Sequence, residues 1–297
     1  MAISHEFEYI KPKTVNEAVD ILAKYGSKAS ILAGGTDIVV KLKETPFNPE
    51  ILVDIKGIDE LSKIEFSNGV LKIGALVTFS ELIDSEIVKT NFPLIHEAST
   101  TVASIGTRNR ATIVGNICSA VPSLDSGPAL LVYEADVIVK NNSGERKISI
   151  KDWFTGPKKT AIKEGDLVIG LEIKKPTDKH GTSYVKLGRY RGEDLAQAGV
   201  GVFVTESNNY KISFCALGPV PVRATIIENL LNGKSLDEKI LNEAKELVEK
   251  VISPITDIRA SKEYRMHIAK VMLERALLKA KERITSVYHE THDILGG

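Results

Sequence analysis

Cysteine is almost missing from this 297-residue chain, which carries only Cys118 and Cys215. Two thiols are too few for a disulfide framework, a structural zinc site or a four-thiolate iron–sulfur cluster, so any metal chemistry must sit on a partner. Charge of one sign is missing too. Lys plus Arg number 39 and so do Asp plus Glu, which leaves no basic field for a nucleic-acid backbone and no polybasic membrane patch. No apolar run approaches the roughly 20 residues of a membrane span. The opening MAISHEFEYIKPKT has no apolar stretch of signal-peptide length, and a cytoplasmic protein is expected. The generic nucleotide fingerprints are absent as well: no GxGxxG follows a strand and no GxxxxGK[ST] occurs, so neither a Rossmann site nor a P-loop is supported. No internal repeat of solenoid length appears.

What the chain does hold is small residues in two places. Thr100–Leu131 reads TTVASIGTRNRATIVGNICSAVPSLDSGPALL, dense in hydroxyls and small side chains, broken by Gly106, Gly115, Pro122, Gly127 and Pro128, and without an acid until Asp125. Upstream, SILAGGTDIVVKLK runs from a short apolar strand (Ile31, Leu32) into Gly34–Gly35, then Thr36 and Asp37. Backbone amides approach a phosphate closely only where side chains are small, and successive N–H groups in turns make an anion-binding concavity. A single glycine pair after a strand is more often a plain turn. Two such loops in one chain point to a dinucleotide.

The length calls for about two domains. Thr14 with Glu17 makes a capping box ahead of VNEAVDILAKY, whose Val15, Ala18, Val19 and Leu22 share one face, and Gly26 closes that helix. ILVDIKGI and VLKIGALVTF read as strands, Thr78 with Glu81 caps a helix through SELIDSEIV, and ADVIVKNNSGERKISI reads as a hairpin around Asn141–Gly144. Beyond the strand LVIGLEIKKP and an exposed connection TDKHG, the pattern changes. YVKLGR, AGVGVFVTE and YKISFCALG form consecutive antiparallel strands, followed by helices in SLDEKILNEAKELVEKV and KEYRMHIAKVMLERALLKAKERI. Strands first and helices after is an α+β order.

In its details the pair of loops resembles a known family. AGGTD at Ala33–Asp37, followed by RNRATIVGNICSAVPSLDSGPALL from Arg108, is similar to the FAD-binding medium subunit of molybdenum hydroxylases, the family of the CO dehydrogenase medium subunit and the xanthine dehydrogenase FAD subunit. FTGPKKTAIKEGDLVIGLEI, VKLGRYRGEDLAQAGVGV and ASKEYRMHI resemble blocks in the same order in bacterial xanthine dehydrogenases. The resemblance implies an α+β fold: a two-lobed FAD-binding domain of PCMH or vanillyl-alcohol-oxidase type over residues 1–178 (lobes about 1–58 and 59–178), a CO-dehydrogenase-flavoprotein-like domain over 179–290, and a tail at 291–297. It further implies non-covalent FAD, NAD as acceptor, an iron–sulfur small subunit with [2Fe–2S] clusters, a large subunit with the molybdenum cofactor, and a dimer of heterotrimers.

Carried over by position, the first FAD segment is Ile31, Leu32, Ala33, Gly34, Gly35, Thr36, Asp37 and Ile38. The second is Thr112, Ile113, Val114, Gly115 and Asn116. Val102 and Val168 match apolar wall positions, Asp125 matches an acid that accepts from a ligand hydroxyl, and Lys186 matches a lysine close to the flavin, where a cation tunes the ring electrostatically. No amino acid is expected to act as a catalytic acid or base. The second segment departs from the usual TIGGN in having Val114 for the first glycine, which argues against positive φ there. Thr107 replaces a common isoleucine, and the extra cysteines that give some relatives a further cluster are absent. Arg108 and Arg110 are as suited to carbonyls as to phosphates and are left out of the site. His289 and His292 read as a solvated tail rather than a metal pair, and Trp153 reads as packing between domains. The rival readings are a CO- or aldehyde-oxidising complex with another acceptor, and a free-standing FAD oxidoreductase.

Overall fold

The computed structural model describes residues 3, 5–44, 46–190, 194–286 and 293–295. The first helix, Val15–Tyr25, starts where Thr14 accepts from the Glu17 amide and ends where Gly26, at φ +52°, donates to the Leu22 carbonyl. Its buried Val15, Ala18, Val19 and Leu22 are the stripe that the 3.6-residue period demands. Beside it lies a three-stranded parallel sheet with Ile51–Asp54 in the centre, flanked by Glu8–Ile10 and Ala29–Leu32. The strand expected through ILVDIKGI stops at Asp54, because that carboxylate accepts from the Lys56 amide and turns the chain into a 3₁₀ segment.

A five-stranded antiparallel sheet follows, ordered Ile64–Ser67, Val70–Gly74, Leu167–Lys174, Asp136–Asn141 and Gly144–Ser149. The hairpin at Asn141–Gly144 falls where the turn residues place it. The strand from Val70 ends at Gly74, whose carbonyl receives the Val77 amide in a turn. The capping box of Thr78 and Glu81 is present, yet the expected single helix is two, Phe79–Asp84 and Glu86–Asn91. Ser85 breaks it: its backbone is extended and its hydroxyl accepts from the Val88 amide, restarting the helix.

The second five-stranded sheet runs Val222–Arg223, Tyr210–Cys215, Ala198–Thr205, His180–Leu187, Asp293–Leu295, antiparallel except for the last pair. Pairing at Asp293–Leu295 differs from the solvated tail expected there; His289 and His292 lie outside the described residues. Alternate residues of the central strands serve two cores. Tyr184 and Phe203 join the core of the first domain, while Val185, Val202 and Val204 join a second core with the long helix Lys262–Glu282. A sheet covered on both faces reads as an unbroken apolar run, as AGVGVFVT does. TDKHG is not wholly a connection, because His180 and Gly181 already lie in the strand. Gly181 is needed there, since a Cβ would stand 2.0 Å from the Ala280 carbonyl oxygen of the long helix. The helix Thr225–Leu231 was not legible in the sequence; its buried Glu228 chelates Arg223 through Nε and Nη2. The whole is α+β, as expected.

Candidate functional site

The first small-residue loop joins the parallel strand Ala29–Leu32 to the helix Ile38–Glu44, so Ile31 and Leu32 lie in the sheet and Ala33–Asp37 form the turn. Its two glycines are required for different reasons. Gly35 sits at φ +85°, a left-handed conformation that side chains resist. A Cβ on Gly34 would stand 1.9 Å from the Arg110 carbonyl oxygen, so the chain leading into the second segment presses on the first. Among the described residues, no hydrogen bond within the chain takes the amides of Gly34, Gly35 and Thr36.

The stretch expected as one long loop contains three short helices, Ile105–Arg108, Ile113–Ser119 and Ser126–Val132. Hydroxyls start the first two: Ser104 accepts from the Thr107 amide, and Thr112 accepts from the Gly115 amide. Gly115 is small because a Cβ would lie 2.7 Å from that Thr112 hydroxyl. Val114 is helical and buried, in keeping with the argument against positive φ. Asn116 Oδ1 accepts from the Ser126 hydroxyl at 2.6 Å, and the helix closes at Ala120, φ +47°. A hydrogen bond from the Ser119 hydroxyl to the Asp37 carboxylate ties the end of the helix that carries the second segment to the first. The fold thus clasps two loops far apart in sequence.

Asp125 and Lys186 meet in the interior. Lys186 Nζ donates to Asp125 Oδ2 at 2.9 Å and to the Thr101 carbonyl at 2.7 Å, and the Tyr184 hydroxyl donates to Asp125 Oδ1 at 2.8 Å. Lys186 is 3% exposed and Asp125 6%. Burial raises the Asp125 carboxyl above its ordinary range, with Lys186 and Tyr184 opposing. Burial and the neighbouring carboxylate push the Tyr184 phenol well above its ordinary value. Asp125 therefore has partners other than the ligand hydroxyl expected for it. Strand alternation is the reason: residues 184 and 186 share the face turned toward the first domain. Tyr184 and Thr101 escaped the sequence reading, although period two from Lys186 would have pointed to Tyr184.

The remaining residues are placed as follows. Val102 is buried, and its carbonyl accepts from Arg108 Nη1 at 2.8 Å, as does the Ala103 carbonyl at 2.6 Å; Arg108 thus serves carbonyls. Val168 is positioned by the five-stranded sheet, opposite Val139, and not by the loops. Trp153 is fully buried in the first core, not between domains, and its indole N–H donates to the Ile117 carbonyl at 2.9 Å, which braces the second segment from behind. Among the described residues there is no cluster of metal-ligating side chains and no helix long and apolar enough to cross a membrane.

Residues 5–176 match the family model of the FAD binding domain in molybdopterin dehydrogenase, and residues 183–280 match that of the CO dehydrogenase flavoprotein C-terminal domain. The chain belongs to this flavoprotein family. It is 33% identical to the carbon monoxide dehydrogenase medium chain of Afipia carboxidovorans, over 95% of this chain and 99% of that one. It is 28% identical to the xanthine dehydrogenase FAD-binding subunit of Escherichia coli, over 92% and 95%. Its fold superposes on a chain of the Cu,Mo-CO dehydrogenase in its cyanide-inactivated form with a TM-score of 0.91 at 32% identity, covering 95% of this chain and all of that one. The site fits the cofactor of the family. The amides of the first loop that no bond within the chain takes suit a pyrophosphate, and Asp37, the carboxylate of that loop, is turned to other work, accepting from Ser119.

Proposed function

We propose that this chain is the FAD-carrying electron-transfer subunit of a multi-subunit molybdenum hydroxylase, with a [2Fe–2S] small subunit and a molybdenum-cofactor large subunit as partners. The observation that carries the reading is the clasp between the two loops: the contact of Gly34 with Arg110 and the bond of Ser119 to Asp37. Residues 31–38 and 112–116 would hold FAD there, with Gly34, Gly35 and Thr36 donating to its phosphates. When bound, FAD supplies the redox chemistry that joins one-electron carriers to a two-electron acceptor. The chain's residues bind and orient it, and Val102 and Val168 supply apolar wall. Lys186, held by Asp125, would act on the flavin through its position and charge. The sequence blocks shared with xanthine dehydrogenases favour a purine as the substrate of the complex and NAD as acceptor.

A CO- or aldehyde-oxidising complex with another acceptor is the second reading, favoured by 33% identity to a CO dehydrogenase medium chain against 28% to a xanthine dehydrogenase subunit. The test is reconstitution. The purified chain should take up one FAD and reduce an artificial dye with NADH, yet oxidise neither hypoxanthine, CO nor an aldehyde until the partner subunits are added. Gly34→Ala, whose methyl collides with the Arg110 carbonyl, should abolish FAD uptake measured by flavin absorbance. Dye reduction by another donor but not by NADH would favour the second reading. Stoichiometric FAD in Gly34→Ala would refute the loop assignment, and substrate oxidation by the chain alone, free of molybdenum, would leave a free-standing flavoenzyme.

A further inference from the structure

Three alanines, Ala103, Ala120 and Ala216, stand at φ +40°, +47° and +61°. Left-handed backbone is unfavourable for any residue with a Cβ, and it persists only where surrounding contacts over-determine it. The contacts are identifiable at each. The Ala103 carbonyl takes Arg108 Nη1, and the Ala120 carbonyl takes the Lys158 amide at 2.8 Å. Ala216 belongs to the second domain, but its amide donates to the Pro122 carbonyl at 2.7 Å, six residues past the end of the second FAD segment. Its carbonyl accepts from Arg265 Nη1 at 3.2 Å.

Arg265 lies near the start of the long helix Lys262–Glu282 and is 5% exposed. Its other arm donates from Nη2 to Asp257 Oδ1 at 2.6 Å, and that oxygen is itself held by the amides of Arg259 and Ala260 at 2.8 and 3.2 Å. The neighbouring Leu217 carbonyl takes the Ser253 amide at 2.9 Å. The turn at residues 216–217 is therefore gripped from behind by the segment 253–265 while its front edge grips Pro122. Cys215, next to Ala216, also lies within 3.5 Å of the Tyr184 hydroxyl that bonds Asp125. A path of polar contacts thus runs from the C-terminal helix to Pro122 and Asp125, and the neighbouring Ser126 hydroxyl donates to Asn116 at the end of the second FAD segment.

We propose that Arg265 is a positioning residue for the FAD site. Through the strained Ala216 turn it sets where residues 120–125 sit, and with them the second segment, although it touches no ligand itself. The proposal rests on the FAD assignment above. A guanidinium suits this task because its planar fork reaches a carbonyl and a carboxylate at once. Without it the Ala216 carbonyl loses a buried donor and the turn loses the contact that opposes its backbone strain.

The test uses the full-length chain. FAD affinity is measured by titration of the apoprotein, the flavin-band circular dichroism is recorded at saturating FAD, and thermal unfolding of the apoprotein is followed in parallel. Arg265→Met should weaken FAD at least tenfold and alter the flavin-band spectrum of the FAD that does bind. Arg265→Lys, which keeps one donor for the Ala216 carbonyl, should recover much of both. Asp257→Asn, which loosens the guanidinium without removing it, should change both in the same direction by less, and it serves if Arg265→Met does not fold. Wild-type FAD affinity and spectrum in Arg265→Met, or in Asp257→Asn where the former is unfolded, with only the melting temperature lowered, would overturn the proposal and leave Arg265 a purely structural side chain. Failure of the unaltered chain to bind FAD would overturn the site assignment and this inference together.

Discussion

Asp125 shows how far a residue's role depends on what the fold puts beside it. In the sequence it is the lone acid of a small-residue segment, and in the structure it is the counter-charge of a buried lysine. Removing one member of a buried ion pair leaves the other charge uncompensated, which costs about 3–5 kcal/mol. Asp125→Ala should therefore lower the unfolding free energy of the apoprotein, read from urea titration, by that amount. Asp125→Asn, which keeps the shape and an acceptor for Tyr184 or Lys186, should lose less. Equal stability of wild type and Asp125→Ala would show the carboxylate to be free for a ligand after all. The glycines were legible as loop residues from their type alone. Which of them meets backbone and which needs positive φ was not, because that depends on Arg110, brought across by the fold.

Among the elements, the five-stranded sheet carries a buried carboxylate that makes its edge acid-sensitive. Asp166 accepts from Arg146, from Asn141 Nδ2 at 2.9 Å and from the Lys163 amide at 2.7 Å. Burial alone would raise its carboxyl, but the Arg146 guanidinium and the two amides hold it below the ordinary value. A carboxylate depressed in the folded state contributes stability above its unfolded value of about 3.9, and that contribution is lost as pH falls through the folded value. Stability of the chain should thus decline below about pH 4, and Asp166→Asn should flatten that part of the pH curve. An unchanged acid limb in Asp166→Asn, measured by urea unfolding from neutral pH downward, would assign the decline to other groups. Helices and hairpins with their own caps and turn residues were readable in advance, as at Thr14, Thr78 and Asn141. The split at Ser85 was not, because a serine inside an apolar period signals a cap only once its hydroxyl is seen on the Val88 amide.

The two domains are joined by charge as well as by apolar packing. Glu97, 1% exposed on the helix Pro93–Thr100, accepts from Arg283 Nη1 at 3.0 and 3.1 Å and from the Tyr184 amide at 2.7 Å. Arg283 follows the long helix of the second domain and also donates to the Thr182 carbonyl. Burial raises the Glu97 carboxyl even though Arg283 opposes it. Glu97→Ala takes the carboxylate from a buried guanidinium and an interior amide, so a loss of about 3–5 kcal/mol is expected, with a fall in the melting midpoint on the order of 10 °C. An unaltered melting curve would mean that apolar contacts alone hold the domains together.

The amino-acid sequence by itself determined the α+β class, the small-residue composition of the two segments and the capped helices, because each of these rests on local residue type and short-range period. Its resemblance also carried the family. Tertiary structure alone decided that Gly34 meets Arg110, that Ser119 meets Asp37, that Trp153 braces Ile117, and that Lys186 is neutralised by Asp125 inside the molecule. Those contacts join residues distant in the chain, and no local propensity encodes them. The last of them arises because a sheet with two buried faces presents residues 184 and 186 to the first domain while residues 185 and 187 pack on the second core.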